Sequence, residues 1–292
     1  MIQTRPDAWS SRIGGAGFNV ARAMARLGVQ SAFAGAVSED IFGDALCEAA
    51  RNVGLDMRFL QRKAKSPLLA MVHRTNPPDY FFLGDDSADL HFQPRDLPAG
   101  WEKHVRYAHF GGISLARPPL AGCLVEMATR LKAHDVAISY DPNYRKLMDE
   151  SYDAVLHEMV RLADVIKVSD EDLEGLFRTD EPRQALAGLR EMNSEASILF
   201  TRGAAGAEYY SRGGAWRALA PEIVLADTIG AGDASVSALL HGLMAQPEAD
   251  GEQHLRMAVA AGAAACTLLG ATPPTLAQVA AIAPHVEVTS II

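Results

Sequence analysis

Four short apolar runs, VRYAHFGG at 105–112, VAISYDPN at 136–143, DVIKVSDED at 164–172 and SILFTRG at 197–203, each give way to polar or turn residues and then to a helical pattern. Short strands that alternate with amphipathic helices bury their backbone best as a parallel sheet with helices on both faces, so this alternation predicts an α/β fold. GAGFNVARAMARLG at 15–28 reads as an Ala-rich helix closed by Gly28, with VQSAFAGAV (29–37) after it as a strand and a second helix over 41–52. The character changes over 57–92, where LLAMVHR and DYFFLG predict a small antiparallel sheet fit to serve as a lid. Residues 207–219 predict a β-hairpin turning at 212–214, and helices near 254–268 and 275–282 close the chain. Ligands collect at the C-terminal ends of strands in such sheets, which singles out Asp141, Asn143, Arg145, Lys167, Ser169, Asp172 and Thr201.

A chain of 292 residues, 49% of them hydrophobic, can bury a large core as one α/β domain with an appendage or as two modest domains. The net charge of −9 argues against binding to nucleic acid or to an anionic membrane surface. No apolar run is long enough for a membrane span, and the polar start MIQTRPDAWSSR does not resemble an export signal. Cys47, Cys123 and Cys266 are far apart and odd in number, which predicts neither a disulfide framework nor a zinc site but core thiols in the reducing cytoplasm. A small soluble substrate is the expected partner.

The heptapeptide DTIGAGD at 227–233 runs straight into the apolar stretch ASVSALLHGLMA. Gly230, Ala231 and Gly232 carry little or no side chain, so their amides can close on a phosphate oxygen while the following helix aims its positive end at the same point. Asp233 then stands at the mouth of an anion cradle, where a carboxylate makes most sense as the base for an attacking hydroxyl. Val236, Leu239, Leu240, Leu243 and Met244 recur at helical spacing and predict one buried face that fixes the cradle. No GxxxxGK[ST] occurs, which excludes a P-loop.

Taken in order, GGAGFNVARAMARLG (14–28), SADL (87–90), DPNYR (141–145), ADVIKVSDEDLEGL (163–176), TRGAAGA (201–207) and DTIGAGDASVSALLHGL (227–243) resemble the ribokinase-like (PfkB) family of carbohydrate kinases, most closely its fructokinase-like branch. The resemblance implies transfer of the γ-phosphate of ATP to a sugar hydroxyl on a Rossmann-like, mostly parallel sheet with a small β-sheet lid. Its boundaries would be 14–56 and 93–292 for the main α/β domain, and 1–13 and 57–92 for the lid. A 2-keto-3-deoxygluconate or riboside kinase of the same family, or a catalytically weak sugar- or nucleotide-binding member, are the alternatives.

On this resemblance Asp233 matches the catalytic base, Gly230, Ala231 and Gly232 the anion hole, and Arg145 a group reaching the phosphoryl. Lys167, Ser169, Thr201, Gly203 and Gly206 match nucleotide-binding positions, and Gly15, Asn19 and Asn143 match sugar-facing ones. Asp172 or Glu171 would serve Mg2+, while Asp227 and Thr228 would help hold K+. A homodimer formed through the lid sheet is expected. Two departures stand out. Family members begin with an apolar strand ending in a sugar-binding acid, for which the thirteen residues before Gly14 offer no counterpart. Ser235 also stands where Phe is frequent, which predicts looser packing beneath the anion hole.

Overall fold

The computed structural model describes residues 1–5, 7–75 and 78–291. Strands β7 (Tyr107–Gly111), β8 (Ala137–Asp141), β9 (Val165–Ser169) and β10 (Ser197–Thr201) are the four predicted runs, and each pairs in parallel with the next. Beyond β10 the sheet continues antiparallel through the expected hairpin, β11 (Ala207–Ser211) and β12 (Gly214–Ala218), to β13 (Val288–Ser290), seven strands in all.

Both sheet faces are covered, and strand alternation decides which residue faces which layer. Ile138, Tyr140, Ile166, Val168, Ile198 and Phe200 share one core with residues of α3 (Leu120–Lys132), α4 (Asp153–Leu162), α5 (Asp170–Phe177) and α6 (Pro182–Met192). Val165, Leu199, Ala207 and Tyr209 share the other with α1 (Ala16–Arg26), α7 (Ala231–Ala245), α8 (Gly251–Cys266) and α9 (Leu276–Ile282). Because side chains alternate, Lys167 on β9 points toward this second layer together with Val165.

The expectation of a one-faced α7 is corrected. Every residue from Asp233 to Leu240 is buried, including Ser235 and Ser237, because the helix packs against both α1 and α8. Ser235 does not loosen this packing: a Cβ on Gly262 of α8 would fall 2.4 Å from the Ser235 hydroxyl, so two small residues let the helices close. Of the cysteines, Cys47 alone is buried, Cys123 and Cys266 being half-buried.

Two further sheets stand apart. The first two strands, β1 (Ile2–Arg5) and β2 (Ala8–Ser10), join β5 (Leu69–Thr75) and β6 (Pro78–Leu83) in the order β2-β1-β5-β6. Residues 57–92 are therefore not uniformly antiparallel. β4 (Leu60–Lys63) pairs in parallel with β3 (Gly35–Ser38), which precedes α2 (Ile41–Asn52). The strand expected over 29–37 forms only as these four residues. Among the described residues no helix is long and apolar enough to cross a membrane.

Candidate active site

Gly230 caps α7 in the left-handed region at φ 85°, and a Cβ there would lie 3.1 Å from the Cα of Ala271, so glycine suits both the turn and the close approach. The first-turn amides of a helix lack intrahelical acceptors. That of Ala231 reaches the Thr228 carbonyl at 3.3 Å, while Gly232 and Asp233 border a cavity of about 2730 Å³. The loop ahead of the cradle is braced by Asp227, whose carboxylate accepts from the amides of Ile229 (3.1 Å) and Gly270 (2.9 Å). Thr228 is exposed at the cavity edge.

Asp233 is buried, and its Oδ2 accepts from Asn19 Nδ2 of α1 at 2.8 Å. Burial raises its pKa above the ordinary carboxylate value, against the opposing pull of the Asn19 hydrogen bond and the charges of Lys167 and Arg145. The Asn19 Oδ1 has no protein partner. Gly15, at φ 122°, caps α1 and lines the same cavity.

Beneath the cradle lies the ammonium of Lys167, which a Cβ on Gly232 would approach to 3.2 Å. It stands 3.3 Å from Asp141 Oδ2 and 3.4 Å from Asp172 Oδ2, all three side chains being buried. Burial raises the Asp141 pKa to about 7 despite Lys167, with the charges of Asp172 and Asp233 pushing the same way. Burial acts on Asp172 too, but Lys167 and the amides of Ser169 and Tyr144, both at 2.7 Å, outweigh it and leave its pKa low. Ser169 and Asp172 form a reciprocal capping box on α5. Glu171 sits exposed in the same first turn and lines the cavity.

The DPNYR loop hangs from these acids. Asp141 Oδ1 takes the Asn143 amide at 3.0 Å, and Asp172 Oδ1 takes that of Tyr144. Asn143 adopts φ 47°, a conformation asparagine tolerates better than most residues. The turn sends Arg145 back onto the carbonyls of Asn143 (3.2 Å) and Tyr144 (2.6 Å) and places its guanidinium 4.8 Å from the centre of the Tyr80 ring on β6.

Thr201 ends β10 with its hydroxyl 3.4 Å from the Val168 carbonyl, and Gly203 follows at φ 51°; both line the cavity. Gly206 does not. Its φ of 87° and the Ala218 carbonyl, 2.0 Å from where a Cβ would be, make it the tight turn into β11.

Several neighbours have no assigned role in the sequence reading. His109 and Ser139 face each other across β7 and β8, Nδ1 to Oγ 2.9 Å, and burial next to Lys167 lowers the histidine pKa to about 4, so the ring is neutral. Arg117 reaches Asp89 Oδ2 (2.5 Å) and Ser87 Oγ (3.0 Å), which makes SADL a latch between the end of the β5–β6 hairpin and the main body. Only their strand position, one residue on from alternating apolar partners, hints at His109 and Ser139 in the sequence. Phe81, Phe82 and Tyr107 line the cavity, whereas His91 pairs with Asp86 at 2.5 Å.

A family model described as pfkB family carbohydrate kinase matches residues 2–278. The chain belongs to the pfkB family of carbohydrate kinases. A fructokinase from Klebsiella pneumoniae is 32% identical over 271 residues, 88% of this chain and 87% of the relative. The crystal structure of a fructokinase with bound ATP from Xylella fastidiosa superposes with a TM-score of 0.86 at 28% identity, covering 97% of this chain and 94% of that one. A fructokinase from Vibrio cholerae O395, solved with fructose, ADP and calcium ion bound, gives 0.83 at 27% identity over 96% and 94%.

If Lys167 is the counter-ion of these acids, Lys167→Met strands buried carboxylates and lowers stability by about 3–5 kcal/mol. The stranded acids then hold protons in the folded state at pH values where the unfolded chain has released them, so the variant's stability falls as pH rises. Urea unfolding is expected to show a larger deficit at pH 8 than at pH 5; an equal deficit at both would remove the charge argument.

Proposed function

We propose that the chain transfers the γ-phosphate of ATP to a hydroxyl of a ketohexose, with fructose foremost. The observation that carries this reading is the buried Asp233 carboxylate, held by Asn19 at the start of α7, next to Gly232, where a Cβ would lie 3.2 Å from the Lys167 ammonium. In such a place Asp233 takes the proton from the attacking hydroxyl. Its raised proton affinity makes it a better base than an ordinary aspartate, and the Asn19 hydrogen bond fixes the oxygen that acts. The Gly230–Asp233 turn and Lys167 supply fixed positive potential where charge develops on the transferring group. Arg145 adds a cation at the rim. The neighbouring solved fructokinases, one holding ATP and one fructose with ADP and calcium, support the choice of substrates.

ATP with Mg2+ supplies the phosphoryl group and neutralises phosphate charge. Mg2+ retains waters and phosphate oxygens in preference to an all-protein cage. Glu171, exposed along the cavity, and Asp172 beside it are the acids that would face the ion. Thr201, Gly203 and Lys167 would border the nucleotide phosphates, with Gly206 shaping their turn. A K+ ion at Asp227 and Thr228 would use the carboxylate lone pairs left over from Ile229 and Gly270, tying those loops together. Gly15, Asn19 and Asn143 face the sugar.

In the same reading 1–13 and 57–92 act as the lid on a main domain of 14–56 and 93–292, with the contact between Arg145 and Tyr80 as its catch. Phe81 and Leu83 on β6 are 45% and 50% exposed, which favours a homodimer through the lid sheet. A cytoplasmic setting fits this chemistry.

ADP release with Mg·ATP is expected to be fastest with fructose, against 2-keto-3-deoxygluconate and ribosides. Asp233→Asn should lower kcat by about 10²–10⁴-fold while Mg·ATP still raises Tm. Ligand stabilisation without any ADP release from the unaltered chain would instead identify a binding protein. Asn19→Ala removes a donor that favours the ionised carboxylate, so the acid limb of kcat/KM should move to higher pH; a limb that stays put or moves down would separate Asn19 from the base.

A further inference from the structure

Glu208 of β11 is wholly buried, and three arginines surround it. Arg183 of α6 grips both carboxylate oxygens at 2.6 and 2.7 Å, Arg217 of β12 donates from Nε at 2.8 Å, and the Tyr210 hydroxyl donates at 2.6 Å. Arg202, in the turn after β10, stands farther off at 3.5 Å. Burial opposes ionisation of Glu208, but the hydrogen bonds from Arg183, Tyr210 and Arg217 prevail and bring its pKa down to about 2. A fourth guanidinium, that of Arg190, lies 4.6 Å from the centre of the Tyr210 ring.

One bidentate arginine already balances one carboxylate. Among the described residues no acid other than Glu208 pairs with any of the four arginines, so three positive charges are left over on one stretch of a chain whose net charge is −9. Like charges gathered this closely repel one another unless an anion shares them. The carboxylate and two aromatic rings hold the guanidiniums in place, Arg183 lying also 5.5 Å from the centre of the Phe200 ring, so little freedom is lost when a ligand arrives. Arg183, Arg190 and Arg217 are exposed, as is Thr289, which faces Arg217 across β12 and β13. Arg202 reaches the Ala205 carbonyl only at 3.4 Å and its Nε is enclosed without an acceptor, which makes it the first to turn toward a new anion.

We propose that this arginine cluster is a second binding site, outside the candidate active site, for a small ligand that carries a phosphate dianion. Planar guanidiniums take phosphate oxygens in pairs, which suits a site built from arginines and not lysines. The acidic remainder of the chain repels long polyanions and limits the occupant to a compact one, the phosphate of a sugar or of a nucleotide. Arg202 also borders the large cavity, between Thr201 and Gly203, so an anion that draws it outward pulls on that turn.

Nitrogen-15 NMR of the arginine Nε–H groups reads this without reference to catalysis. Inorganic phosphate at about pH 7.5, where its second proton is largely lost, is expected to shift Arg183, Arg190, Arg202 and Arg217 together. Arg161, paired with Glu158 elsewhere on the surface, should stay put. Glucose 6-phosphate and adenosine monophosphate, titrated separately, identify the source: the tighter one names it, and equal binding means that the phosphate alone is read. Arg190→Gln combined with Arg217→Gln leaves Glu208 its Arg183 and Arg202 partners, so the fold is kept while binding weakens about ten-fold or more. The Thr201 and Gly203 amides should move over the same phosphate concentrations as the arginines. The proposal is overturned if no phosphate shifts the four arginines, if Arg161 shifts as much as they do, or if the double variant binds as tightly as the unaltered chain. Amides of 201 and 203 that stay still while the arginines respond would overturn the link to the cavity.

Discussion

The buried ammonium of Lys167 is the constraint from which the rest of the site follows. One cation lies among three buried acids, Asp141, Asp172 and Asp233, so it cannot neutralise all of them. The three share out the imbalance unequally. Asp172 collects two backbone amides as well as Lys167 and stays ionised, while Asp141, with fewer donors, holds a proton up to about 7. Asp233 is raised by burial and restrained by Asn19. Unequal donor sets around one charge thus leave one carboxylate of lowered and two of raised proton affinity in one pocket.

That arrangement needs the fold to bring several remote elements together. Strand alternation puts Asp141 and Lys167 on the same face of neighbouring strands, and the absent side chain of Gly232 lets the ammonium lie beneath the start of α7. The position of α7 is in turn set by close packing: Ser235 against Gly262 of α8, and Ser237, whose hydroxyl donates to the Asp233 carbonyl at 2.6 Å. Small polar residues in a buried helix serve here to lower the distance between backbones. On the other side, the same acids hold the 142–145 loop, so Arg145 and its contact with Tyr80 depend on the cluster as well.

The main sheet was legible in the sequence because its strands are short apolar runs between helices, a pattern that survives without any tertiary information. Strands β7 to β10, the 207–218 hairpin and α2 lie where periodicity puts them. The cradle was legible as well, since glycine spacing and an Asp before an apolar helix state their geometry locally. What was not legible depended on partners distant in sequence. The stretch 29–34 has the composition of a strand but lacks a neighbour to pair with, and Leu60–Lys63 joins β3 in parallel, which no local pattern encodes. The central place of Lys167 could not be read from VIKVS alone, because its meaning comes from Asp141 on the adjacent strand and Gly232 some sixty-five residues later. His109 and Ser139 were hidden for the same reason, each a single polar residue inside an apolar run.

Carbon-13 NMR of the aspartate carboxyl groups, titrated from pH 3 to pH 9 and assigned through Asp→Asn variants, reaches the heart of this account. Asp141 is expected to titrate at about 7, Asp233 above the ordinary aspartate value of about 3.9, and Asp172 below it. Three carboxyls titrating together near that ordinary value would show that Lys167 does not divide them, and the proposed base would lose its physical footing.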